Sequence, residues 1–418
     1  MRNLFYPTLF LLICMQLAGC QSNSQPTQTK APMKAIQAGT WRGVLSMQNQ
    51  QMPFVFDIQY TNNQPIMVIH NDTEQLTVDE VTIDGDSARI TMHIFDSQLI
   101  AHISENTLTG YFVKHYLDNY RIPFTATYNQ TYRFAPTRAA ANPAFDGKWA
   151  VTFTHKEDGD TPAIGEFKVN GNKATGTFLT ETGDYRFLEG HIDGNTMHLS
   201  TFDGNHAFLF QATVNGEGNG ITGHFWSGSH WHETFVATKN PDATLRDAYS
   251  LTYLKEGYEG IEFSFPGLDG KPVSPNDAKY KGKVLVLQLF GTWCPNCMDE
   301  TRFFSEWYNS NKDRGVEFLA LAYEQKDDFE YAKSRIEKVK QKLNVEYDFV
   351  VAGVSDKKKA AETLPMLNHV MSYPTSIFID RQGKVRKIHT GFTGPGTGVH
   401  YTRYVEEFNA FMNELLNE

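Results

Sequence analysis

Cysteine is scarce in this chain, with four in 418 residues, at positions 14, 20, 294 and 297. That excludes a scaffold held together by many disulfides. It also excludes an ordinary four-ligand zinc site, because no second Cys-x-x-Cys and no neighbouring Cys/His cluster accompanies Cys294 and Cys297. Positive charge is also in short supply. Lys and Arg number 38 against 48 Asp and Glu, a formal net charge of −10, which argues against a basic nucleic-acid surface. Beyond the first residues the apolar runs are short and interrupted, below the roughly 20 residues that a membrane-spanning helix needs. Long helical periods are missing up to about residue 240. The length suits about two to four domains, and a hydrophobic content of 40% is enough to give them cores.

The densest chemistry lies at Gly291-Thr292-Trp293-Cys294-Pro295-Asn296-Cys297. The preceding run, Val284-Leu285-Val286-Leu287-Gln288-Leu289-Phe290, reads as a fully buried strand. Behind it, Met298 to Tyr308 carries Phe303, Phe304 and Trp307 at helical spacing. Strand, turn, Cys-x-x-Cys and helix together read as a dithiol redox motif. Thiol–disulfide exchange needs a thiolate, and a helix N-terminus stabilises one through its unpaired N–H groups and partial positive charge. Cys294, where turn meets helix, is therefore the expected attacking residue. Cys297, about one turn on, is expected to resolve the mixed disulfide. Pro295 suits a first-turn position, and Trp293 is expected to shield one side of the pair. A purely structural disulfide closing so small a loop would add little stability.

Arg2 followed by a short apolar run reads as an export signal. Leu17-Ala18-Gly19-Cys20 resembles the bacterial lipobox, which implies cleavage of residues 1–19 and a lipid on Cys20. Residues 20–38, rich in Gln, Ser, Thr and Pro, read as a flexible tether. Cys14 then leaves with the signal, so Cys294 and Cys297 are the expected thiol pair of the mature chain.

From residue 39 to 240 the texture is β, with short strand-like runs divided by Asn62-Asn63, Asp84-Gly85, Asn170-Gly171, Asp193-Gly194 and Asn215-Gly216. Two copies of one unit are expected, at 39–138 and 143–240. Gly39-Thr40-Trp41 returns as Gly147-Lys148-Trp149, 108 positions later, and Ile83-Asp84-Gly85 as Ile192-Asp193-Gly194, 109 later. Each unit is expected to form a small antiparallel barrel or sandwich. His230 and His232 stand two apart and would share one strand face, but two histidines fall short of a zinc ligand set. No metal and no cofactor is expected.

From residue 243 to 418, β and α alternate. This region resembles the TlpA-like branch of membrane-tethered, thioredoxin-fold thiol–disulfide oxidoreductases. The resemblance rests on Trp293-Cys294-Pro295-Asn296-Cys297, on Tyr373-Pro374-Thr375 before a strand, and on a closing hairpin and helix. It implies a cis Pro374 beside the dithiol, a docking groove shaped by Tyr373 and Trp293, and proton handling by Glu300. Where thioredoxins carry a buried aspartate, six residues before the first cysteine, this chain has Gln288, and an amide is no general base.

The expected architecture is thus multidomain: duplicated antiparallel all-β units followed by an α/β thioredoxin-like domain. The expected function is that of a lipid-anchored oxidoreductase facing the periplasm in a bacterial cell envelope. Its expected partners are disulfide-containing envelope proteins, cytochrome apoproteins among them, and a membrane electron donor. Two alternatives are a thioredoxin-fold peroxidase and an envelope binding module built on the β repeats. Peroxiredoxin-like proteins carry a threonine three residues before the reactive cysteine, where this chain has Gly291.

Overall fold

The computed structural model describes residues 35–418. The export signal and Cys20 lie outside the described residues. Among the described residues no helix is long and apolar enough to cross a membrane.

The N-terminal part is mostly β-strand, in two barrel-like antiparallel sheets of nine strands each. In the first, strand Gly39–Met47 pairs with its successor Gln50–Thr61 and with the last strand, Arg121–Tyr128. The second repeats this plan. Gly147–His155 pairs with Gly159–Asn170 and with the final strand, Trp231–Lys239. Here the ring closes, because Lys173–Thr180 bonds Gly159–Asn170 on one side and Leu188–Asp193 on the other. The first sheet stays open, with Glu74–Val78 and Glu80–Asp84 at its two edges.

The Gly-x-Trp motif does the same work in both sheets. Trp41 and Trp149 are fully buried, and each indole N–H donates to a carbonyl four residues earlier, Gln37 at 2.9 Å and Phe145 at 3.0 Å. Gly39 and Gly147 turn the chain into the strand at φ +125° and +105°, where a side chain would be strained. Phe153, Phe178, Phe210, Phe225 and Phe235 fill the second barrel, which has a core of its own. The core of the first sheet is continuous with that of the C-terminal region.

The C-terminal part is a thioredoxin-like α/β unit. Its five-stranded sheet runs in the order Asp348–Val354, Val316–Glu324, Val284–Phe290, Thr375–Ile379, Val385–Thr390. The first three strands are parallel and the last two antiparallel. All seven residues of Val284–Phe290 are buried, as expected of a central strand lacking hydrophobic alternation. The cysteine helix, Pro295–Asn311, starts at the proline expected in its first turn. Its Phe304 and Trp307 pack on Phe318 of the sheet and on Phe408 of the closing helix Val399–Asn417. Pro374 follows a cis peptide bond.

His230 falls in the turn before the last barrel strand, so it does not share a strand face with His232. The neighbour of His232 is instead His224 on the adjacent strand, with ring nitrogens 3.2 Å apart at the surface.

Candidate functional site

Cys294 and Cys297 are joined as a disulfide, with Cα atoms 5.2 Å apart. Cys294 is the N-cap of the cysteine helix and keeps an extended backbone, and its Sγ accepts the Cys297 N–H at 3.2 Å. That N–H is one of the unpaired donors of the helix start, directed at the sulfur on which a thiolate would form. The Tyr373 carbonyl lies 3.5 Å from the same Sγ, next to the cis bond to Pro374. Trp293 stands edge-on to Tyr373, with centroids 5.7 Å apart, and is held by a 2.9 Å bond from its indole N–H to the Tyr323 carbonyl. Cys294, Cys297, Trp293, Tyr373 and Pro374 are thus brought together at one end of the sheet.

Glu300 is fully buried beneath them, one turn past Cys297. It accepts bonds from Gln288 Nε2 and Ser376 Oγ, each at 2.8 Å. Burial pushes its carboxyl up to about 7 against the pull of those two donors. Gln288, standing where a base was missing, therefore serves as a donor to a carboxylate reached from the helix. A second buried carboxylate escaped the sequence reading. Glu324 closes the strand Val316–Glu324 and accepts both the Thr292 N–H, at 2.8 Å, and its hydroxyl, at 2.6 Å. Burial raises it to about 7 too, opposed by the Thr292 bonds and by Arg335. Its sequence signal was one acidic residue ending the apolar run Phe318–Tyr323.

These two groups set a pH dependence. Their folded values stand above the ordinary 4.5, so between roughly pH 4.5 and 7 the folded chain holds more protons than the unfolded one. Stability then falls as pH rises through that window. At about 1.4 kcal/mol per unit, each group costs about 3 kcal/mol once ionised. Buried His93 and His389, lowered to about 4, act in the opposite sense, so the carboxylates are read out by difference. The urea stability of the Glu300→Gln, Glu324→Gln double variant relative to the parent should rise between pH 5 and pH 8, and an unchanged difference would contradict the assignment.

The second barrel reaches the dithiol. Its segment Gly183–Arg186 lies against the start of the cysteine helix. Asn296 Nδ2 donates to the Asp184 carbonyl at 3.2 Å, and Asp184 Oδ2 accepts the Gly394 N–H at 2.7 Å. Ser372, beside Tyr373, donates to the Thr182 carbonyl at 2.7 Å, and Asn205 Nδ2 donates to the Trp293 carbonyl at 2.7 Å. Arg186, fully buried, pairs with Asp299 on the cysteine helix, with Glu74 of the first sheet, and with Asp203 of its own barrel at 3.4 Å. Cys294 is only 6% exposed, and what lies open beside it is a cleft of about 250 Å³. No sequence period marks these barrel residues, because their partners in the C-terminal part are about 90 to 210 positions away.

Residues 257–388 match the AhpC/TSA family. Thiol-disulfide oxidoreductase ResA of Bacillus thuringiensis subsp. konkukian is 32% identical over 129 residues, 31% of this chain and 66% of that protein. The ResA of Geobacillus thermodenitrificans is 29% identical over 140 residues, 34% of this chain and 72% of that protein. Thioredoxin-like protein YneN of Bacillus subtilis is 28% identical over 142 residues, 33% of this chain and 73% of that protein. The chain thus spans about two thirds of the length of these relatives, and the similarity covers about a third of its own.

Proposed function

We propose that this chain, whose C-terminal region is an AhpC/TSA-family thioredoxin-like domain with ResA-like homologues, is a thiol–disulfide oxidoreductase that reduces disulfides of envelope proteins. The observation that carries the reading is Cys294 at the helix N-cap, with the Cys297 N–H on its sulfur and Tyr373 alongside. In the reduced state the Cys294 thiolate attacks one sulfur of a client disulfide. A Cys294–client disulfide forms, and the other client sulfur leaves as a thiolate. Cys297 then gives up its proton and attacks Cys294 Sγ, which forms the Cys294–Cys297 bond and releases the second client thiolate. Two electrons pass from the dithiol to the client, and a membrane dithiol donor must return them. Glu300, with a carboxyl that titrates near neutrality, is the group assigned to receive the Cys297 proton. Pro374 and Tyr373 shape the groove where the client backbone lies, and Trp293 shields the disulfide.

The lipobox resemblance at Cys20 supports a membrane-anchored location in the bacterial envelope, facing the periplasm. Cytochrome apoproteins are among the clients this reading includes. A peroxidase reading is less well supported, since a resolving cysteine stands one helical turn from Cys294 and Gly291 occupies the place of the peroxidase threonine.

The test is a Cys297→Ala variant expressed in its native envelope. It should hold clients as mixed disulfides on Cys294 that survive non-reducing electrophoresis and vanish with reductant. A variant that traps no protein, while the parent consumes peroxide rapidly, would overturn the reading in favour of the peroxidase.

A further inference from the structure

The cleft beside Cys294 has walls from two domains. Trp293, Cys294 and Tyr373 form one side, and Thr182, Asp184 and His206 of the second barrel form the other. It is an open cleft of about 250 Å³ directly beside the Cys294 sulfur.

The charges in the cleft are unevenly committed. Asp184 is occupied by the Gly394 and Arg186 N–H groups, at 2.7 and 2.6 Å. His206 is held by Asp203 at 3.0 Å. Lys357, the first residue of the helix Lys357–Thr363, lines the same cleft and has no carboxylate partner among the described residues. The adjacent Asp356 is engaged in capping, accepting the N–H groups of Lys358 and Lys359. Lys357 is exposed to solvent, and partial desolvation lowers its ammonium from its ordinary value with no anion to offset it.

We infer that the second barrel and Lys357 make the redox cleft selective for a client segment carrying a carboxylate beside its disulfide cysteine. The inference rests on the oxidoreductase reading and adds the class of client. The barrel forms the wall facing Cys294, and Lys357 supplies the cation that an acidic flanking residue would meet.

The experiment uses the full-length reduced protein and two synthetic peptide disulfides. They are identical except that Glu flanks the cysteine in one and Lys in the other. Oxidation of the protein is followed by stopped-flow tryptophan fluorescence. The parent should react with the Glu peptide roughly 1.4- to fivefold faster, the range expected of a partly exposed charge pair. Lys357→Glu should reverse the order, and Lys357→Met should bring the ratio near one. Thr182→Trp should slow both peptides relative to the small hydroxyethyl disulfide by about tenfold, as a filled cleft would. Equal rates for the two peptides in the parent, or an unchanged preference in Lys357→Glu, would overturn the role of Lys357. An unchanged peptide-to-small-disulfide ratio in Thr182→Trp would overturn the barrel wall. Failure of the parent to react with any of these disulfides is a different outcome, and it would sink the oxidoreductase reading itself.

Discussion

Cys294→Ser should lower the rate of protein disulfide reduction by at least about 10³-fold, measured as turnover of a protein disulfide with dithiothreitol as donor. Serine keeps the N-cap geometry, because its hydroxyl can accept the Cys297 N–H that Cys294 Sγ now accepts. Fold and stability should therefore change little. What is lost is the nucleophile, since a serine hydroxyl does not ionise under these conditions and cannot form the mixed disulfide. Cys297 offers no substitute, because it is fully buried whereas Cys294 borders the cleft. A variant that retained the parent rate would remove Cys294 from the mechanism. Loss of rate with an intact urea midpoint would tie the effect to chemistry alone.

The largest effect on stability should come from Arg186→Met, at about 3–5 kcal/mol. The guanidinium is nearly all buried, with carboxylates of Asp299, Glu74 and Asp203 around it that are 2–10% exposed. Burial raises the Glu74 carboxyl even with Arg186 present. Asp203 is held down to about 2, burial working against His206 and Arg186. Methionine fills much of the volume but leaves these acids without their shared cation, and a buried unpaired carboxylate is costly. The measurement is urea unfolding at pH 7. Lowering the pH should restore part of the loss by protonating the buried carboxylates left without their cation. A change below about 1 kcal/mol would mean that the cluster does not hold the domains together.

Much of the C-terminal part was legible because its signals are local. Seven consecutive apolar or amide residues marked the central strand, and two cysteines three apart marked the helix start. The repeated Gly-x-Trp marked where both β sheets begin, since a positive φ and a buried indole are properties of adjacent residues. Strand pairing within each sheet was less accessible, because one sheet closes and the other does not under similar turn signals. The cover over the dithiol was not legible at all. Arg186 and Asp299 are 113 positions apart, and nothing in Gly183-Asp184-Tyr185-Arg186 indicates which helix it will meet. The expected shared face of His230 and His232 failed for a related reason, since strand alternation does not run through the turn that holds His230, and His232 meets His224 instead.

Closure of the second barrel also has a kinetic meaning. Trp149 pairs with Lys239, so the first strand waits for a partner 90 residues later. Such a long loop is slow to close, and pairings of this kind dominate the folding time of β-barrels. The cysteine helix meets that barrel through Asn296 and Asp299. The wall facing Cys294 therefore belongs to an element whose own closure depends on a long-range pairing.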